Sequence, residues 1–333
     1  MKSLKIIDLV LLVAGAGLLA GLIRFVGVQT IGQSFQKMGW TLIPLVLSYG
    51  LWQMAYAYAW TLTFVSKSLA LPFWKIFTIY LAGDAVNYCV PSGNLAGEPV
   101  KPYLMRAHVS MNDGWASVII NKLSETISMA VFLTVGVVVA LVRFPMPLSL
   151  RVGIWVVYGG TIAAISLFFW RQKKGLLGPL LSLFSKIPFL SGFAQKQSSS
   201  AADIDRRISD YYLFHSRRFV ASIAFNFLGW CGGAVELLWI LRRLGCPAFF
   251  TVALAIEALS LLVNNLFFFL PGRVGGGEGG KTVIFSMLGL GAGTGLSFGM
   301  IRRVRELFWV GVGLTCLFVW RTVPQGSAVE RTR

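Results

Sequence analysis

"PSGNLAGEPVK", residues 91–101, and "PGRVGGGEGGK", residues 271–281, each set a proline, glycines, one glutamate and one lysine between long apolar runs. Pro91 and Pro271 are 180 residues apart. The same offset pairs Gly97 with Gly277, Glu98 with Glu278, Lys101 with Lys281 and, further on, Lys122 with Arg302. Self-similarity at one fixed offset marks repeated units. The chain reads as two related halves, about 37–143 and 217–323, joined by one extra span and a long polar loop at 171–217.

Composition says what surrounds those halves. Of 333 residues 56% are hydrophobic and 13% charged, and the mean hydropathy is +0.71. A water-soluble domain of that make-up is excluded in favour of an all-α, polytopic integral membrane domain covering 1–333. Spans are expected near 6–26, 40–65, 73–90, 115–142, 151–170, 218–241, 248–270 and 306–322. The first follows Lys2 and Lys5 but is longer than a signal-peptide core, so it reads as a retained helix.

A formal charge of +17 would suggest nucleic acid in a soluble protein, but here the basic residues gather at span ends, as in "RQKK" at 171–174. That pattern fits positive-inside topology and anionic lipid, with no nucleic-acid partner, and places loop 171–217 in the cytoplasm. Within the loop "AADIDRRISDYYLFHSRR" reads as a short amphipathic helix. Cys89, Cys231, Cys246 and Cys316 have neither zinc nor disulfide spacing. His108 and His215 have no partner acids at metal or triad spacing, so no metal, cofactor, catalytic group or enzyme activity is expected.

The chemistry concentrates at the two breaks. Pro91 and Pro271 remove a donor, Gly97 and Gly277 permit backbone shapes closed to other residues, and together they interrupt a helix. The helix restarting after Glu98 or Glu278 would aim its N-terminus, with free N–H groups, into the break. Lys101, Lys281 and Arg273 add full positive charge there, which suits the phosphate of a lipid headgroup. Two roles are open to Glu98 and Glu278: pairing with the nearby lysine or capping the helix, or binding a cationic group or a proton. Asp84 and Asn87 precede the first break, and Asn264 and Asn265 the second; they either face the site or bond helix to helix. Lys122 and Glu125 form an i, i+3 pair matched by Arg302, Arg303, Arg305 and Glu306, with snorkelling as the alternative. Glu236 and Glu257 fall inside apolar spans as further candidates. If 73–90 and 102–112 form a re-entrant hairpin the halves are inverted; if 73–90 crosses completely they are parallel.

Three patterns resemble the lysylphosphatidylglycerol synthase transmembrane family: Asn87 and Pro91 leading to Gly97 and Glu98; "ASVIINKLSET" at 116–126; and the second Pro-Gly…Gly-Glu block before a basic pair. The chain looks like a stand-alone bacterial inner-membrane member without the synthase domain, with the hopanoid-biosynthesis-associated subgroup as a near relative. Family members often carry Arg after the first Pro and Glu-Arg in the next span. This chain has Ser92, Gly93 and Asn94, and Asn121-Lys122, so charge is kept without the bidentate fork, while Arg273 preserves one arginine. The resemblance implies flipping of a polar-headed lipid between leaflets, with membrane lipids as partners. The alternative is a non-transporting scaffold that docks lipid-modifying enzymes on loop 171–217.

Overall fold

A computed structural model of the chain describes residues 24, 28–65, 71–90, 92, 94–144, 147–172, 191–246, 248–267 and 275–322. Among these the regular structure is all helical: α1 (Val28–Met38), α2 (Leu42–Thr61), α3 (Phe73–Cys89), α4 (Val100–Met105), α5 (Met111–Arg143) and α6 (Leu148–Gln172). Then follow α7 (Ser191–Phe214), α8 (Ser216–Arg243), α9 (Phe250–Leu266), α10 (Gly276–Met287) and α11 (Ala292–Thr322). Among the described residues, α5, α8 and the stretch Leu148–Leu167 of α6 are long and apolar enough to cross a membrane, and α9 is a shorter apolar helix. The expected first span at 6–26, except Arg24, lies outside the described residues, as do Pro91, Pro271 and Arg273.

Several boundaries differ from the sequence reading. The last helix begins at Ala292 rather than near 306, because its first turns are small residues that an apolarity scan overlooks. The helix after the second break starts at Gly276, so Glu278 sits inside its first turn instead of preceding it. The amphipathic helix of the loop extends back to Ser191.

The segment from α3 to α4 is a hairpin. Asn87 accepts the Gly97 N–H at 2.7 Å and donates to Glu98 at 3.2 Å, which turns the chain back on itself. Asn94, at the tip, has φ 64°, a left-handed conformation that asparagine tolerates. Gly83 and Gly97 then touch backbone to backbone, where a Cβ on Gly97 would overlap the Gly83 carbonyl. By His108 the chain is back at the level of Thr78, since Trp320 packs edge-on against His108 and donates to Thr78 at 3.0 Å. Helices α9 and α10 also pack on each other, with Gly280 against Val263.

Packing partners exchange across the chain. Shifted by 180 residues, α2 falls on α8, α3 on α9, α4 on α10 and α5 on α11. Helix α3 packs on α11 while α9 packs on α5, and α2 crosses α8. The α2–α8 crossing is made by unlike faces: the rings of Trp52 and Tyr56 lie over Gly232 and Gly229. Close approach over glycine is the usual way for membrane helices to gain contact without a hydrophobic driving force.

Helix α7 docks outside this bundle on the start of α5. Ile204, Ile208 and Tyr211 bury against Ala116 and Ile120, and Arg207 bridges Asp203 at 2.9 Å and Asp113 at 2.5 Å. Hydrogen bonds from Arg207 and Asn112 hold the Asp203 carboxyl below its ordinary value of 3.8. An acid with a depressed pKa contributes its stabilisation fully above the ordinary value and loses it as the pH falls through the lowered one. Protection of the α7 amides, taken relative to their intrinsic exchange rate at each pH, should therefore hold at neutral pH and fall only below 3.8, and Arg207→Gln should lower it at pH 7. A second expectation concerns the hairpin. Gly97→Ala should destabilise the protein by about 1–3 kcal/mol in detergent unfolding, through overpacking. Gly159→Ala, whose Cβ meets nothing within 4 Å, should stay within about 0.5 kcal/mol of the parent.

Candidate functional site

Charge in hydrocarbon is tolerated when it is paired or lines a polar cavity. Helix α11 carries Arg302, Arg303, Arg305 and Glu306 in succession, and each finds partners on other helices. Arg302 donates to Glu257 of α9 at 2.8 Å and to the Gly233 carbonyl of α8 at 2.9 Å. Arg303 meets Glu278 of α10 and the Tyr88 hydroxyl of α3. Arg305 meets Glu236 of α8 and lies over the Tyr49 ring of α2, 3.9 Å from its centre. Glu306 accepts from Tyr88 at 3.1 Å and lies 3.4 Å from Arg303.

The first break has its own smaller network. Glu98 pairs with Lys101 at 2.8 Å and stands 3.8 Å from Lys122, which pairs with Glu125 at 3.1 Å. The Lys101 ammonium also lies over Tyr80, 4.8 Å from the ring centre. At the second break Glu278 does two jobs at once: it accepts the Gly275 N–H at 2.8 Å, capping α10, and holds Arg303. Lys281 is buried with no carboxylate in ion-pairing range among the described residues, its ammonium 5.7 Å from the centre of the Phe298 ring. The two breaks, alike in sequence, are thus wired differently.

Between these networks lies a polar cavity of about 400 Å3. Of the residues singled out in the sequence, Asp84, Asn87, Lys122, Glu125 and Arg302 line it, as do Glu257, Asn264 and Asn265. Glu98, Lys101, Glu278 and Lys281 are buried behind its wall, with Gly97 and Gly277 packed beside them. The aromatic floor was not foreseen: Tyr49, Trp52 and Tyr56 of α2 and Trp230 of α8. Its signal is present, since Tyr49, Trp52 and Tyr56 recur at helical spacing and "GWCGG" at 229–233 supplies the facing glycines. The indole N–H groups of Trp52 and Trp230 are buried without a hydrogen-bond partner among the described residues.

Asp84 differs from every other carboxylate lining the cavity. Glu125, Glu257 and Glu306 each have a cation within 4.0 Å, whereas Asp84 accepts only the Gln53 amide, at 2.9 Å, among the described residues. The cavity therefore offers ion-paired guanidinium and ammonium groups together with a carboxylate that no cation contacts among the described residues, above aromatic rings that attract cations.

Unequal pairing predicts unequal costs. Glu236→Ala removes the contacting acid of the buried Arg305, leaving it Glu306 at 3.7 Å, and should lower stability by about 3 kcal/mol in denaturant unfolding. Asp84→Asn keeps the acceptor for Gln53 and should cost about 1 kcal/mol or less.

Comparison with known proteins agrees with this architecture. The family described as the lysylphosphatidylglycerol synthase TM region matches residues 6–314. A UPF0104 membrane protein of Pyrococcus horikoshii is 22% identical over 313 residues, covering 90% of this chain and 92% of its own. A UPF0104 membrane protein of Methanothermobacter thermautotrophicus is 28% identical over 136 residues, 39% of this chain and 40% of its own. No solved structure matches. With helices long enough to span, charge buried along α11 and a family match over nearly its whole length, the chain is an integral membrane protein of the lysylphosphatidylglycerol synthase TM region family.

Proposed function

We propose that this protein carries a polar-headed lipid between the leaflets of the membrane, with the headgroup passing through the cavity between two related halves. The carrying observation is that acidic and basic side chains line part of the cavity and that one carboxylate among them, Asp84, has no ion-pair partner among the described residues. Ionisable groups at membrane depth are costly, and an unbalanced one marks a place for a charged ligand or a proton. In this reading Arg302, Lys122 and Arg305 receive the phosphate, exchanging it for Glu257, Glu125 and Glu236. Asp84 receives a cationic group or a proton. Glu98 with Lys101, and Glu278 with Arg303, act as positioning groups that fix the two hairpins around the cavity.

In this reading one half moves against the other across the interface formed by α3 with α11, α5 with α9 and α2 with α8. Because the α3–α4 hairpin returns to the side on which it starts and α9 packs on α10, we read the halves as inverted and loop 171–217 as cytoplasmic. We read the chain as a carrier, not an enzyme.

Reconstitution tests this directly. In vesicles containing headgroup-labelled phosphatidylglycerol or phosphatidylethanolamine, the protein should speed leaflet exchange, and Asp84→Asn should reduce it by about tenfold or more, the equivalent of 1.4 kcal/mol. Unaltered exchange in Asp84→Asn would reject its role. Absence of exchange in the parent protein would shift the reading to a scaffold, whose contact surface would include the exposed Leu213 and Phe214 on α7.

A further inference from the structure

A second hollow, chemically opposite to the first, lies where α6 stands away from the α9–α10 hairpin. Its volume is about 460 Å3. Ile154 and Val157 of α6, Leu262 and Leu266 of α9, and Val283 and Ile284 of α10 line it. Helix α10 turns Gly276, Gly279 and Gly280 toward it, and α6 turns Gly153. Faces of small residues normally let membrane helices touch. Here they are held apart, and a Cβ on Gly153 would meet nothing within 4 Å.

Such a space does not stay empty or wet. Interiors pack as densely as organic crystals, and a buried water needs two or more polar partners. Among the described residues the hollow offers hydrocarbon and helical backbone only. Leu266 and Val283 are 53% and 49% exposed, so it opens sideways. On its outer side α6 presents Val152, Trp155 and Val156, all exposed, as a bilayer-facing surface would.

Shape selects the occupant. The α10 wall runs from Gly275 to Leu288, about 20 Å at 1.5 Å per residue. The volume spread over that length leaves a cross-section of roughly 23 Å2. That matches the width of one extended hydrocarbon chain. At roughly 30 Å3 for a methylene, taken as similar to a water molecule, about fifteen fit.

We propose that one acyl chain of a diacyl phospholipid lodges lengthwise in this trough. Helix α9 alone separates it from the polar cavity, with Leu261 and Asn264 on the cavity side and Leu262 and Leu266 on the trough side. A lipid held there waits one helix width from the headgroup site. The trough needs no transport step in order to bind, so it stands or falls separately from the lipid-carrier reading.

Vesicles of phosphatidylethanolamine and phosphatidylglycerol, doped with a phosphatidylcholine bearing a diazirine on one acyl chain, supply the probe. After illumination, adducts mapped by mass spectrometry should concentrate several-fold on the trough segments of α6, α9 and α10 over the exposed α5 face at Val135, Val138 and Val142. Gly153→Leu fills the trough, gains helix propensity and should remove that excess. Gly159→Leu, equally unobstructed on α6 but off the trough, should leave it intact. Even labelling of all bilayer-facing helices, or unchanged labelling in Gly153→Leu, would overturn the site. Preferential capture of a photoreactive fused-ring lipid over the acyl-chain probe would overturn the choice of occupant. Absent leaflet exchange in the same vesicles would count against the carrier reading alone.

Discussion

Pairing of charge inside hydrocarbon is the constraint from which the rest of this structure follows. Helix α11 carries three arginines and a glutamate within five residues, far from any aqueous end that all of them could reach. Each guanidinium is met by an acid on another helix: Glu257 on α9, Glu278 on α10 and Glu236 on α8, while Tyr88 on α3 links Arg303 to Glu306. An uncompensated charge in this setting costs several kcal/mol. Four helices are therefore fixed in position and rotation about α11, more tightly than apolar packing in lipid would achieve.

The same constraint explains why the two breaks, so similar in sequence, differ in structure. In the first, the lysine one turn past the glutamate takes it as partner. In the second, Arg303 takes the glutamate and Lys281 is left beside an aromatic ring. The position equivalent to Arg303 in the first half is Leu123, and that to Arg305 is Glu125. Arginine thus stands at two positions where the residue 180 earlier is leucine or an acid. The α2–α8 crossing shows parallel divergence, since Trp52 and Tyr49 stand at the offset where α8 has Gly232 and Gly229. Large side chains on one helix occupy space vacated on the other, so these surfaces fit each other and neither would fit a copy of itself.

Much of this was legible from residues alone, because hydropathy and punctuation act locally. The apolar runs located α2, α3, α5, α6, α8 and α9 within a few residues, and Pro-Gly clusters marked both hairpins. What stayed hidden depended on contacts between distant segments. Glu98 and Glu278 share a local pattern, and only the approach of α11 to α10 decides which cation each receives. Arg302 and Asp84 line the cavity together although more than two hundred residues separate them. The aromatic floor was overlooked because tyrosine and tryptophan within an apolar helix look like ordinary core until glycines on a facing helix turn them toward a cavity.

The central claim is that a lipid headgroup occupies the cavity between Asp84 and Arg302. Electron cryomicroscopy of the protein in nanodiscs of phosphatidylethanolamine and phosphatidylglycerol examines it most directly. The account predicts headgroup density within hydrogen-bonding distance of Asp84 and Arg302, against the rings of Trp52 and Trp230. A cavity closed by its own side chains or holding water alone, with headgroups ordered only on the outer surface, would contradict it.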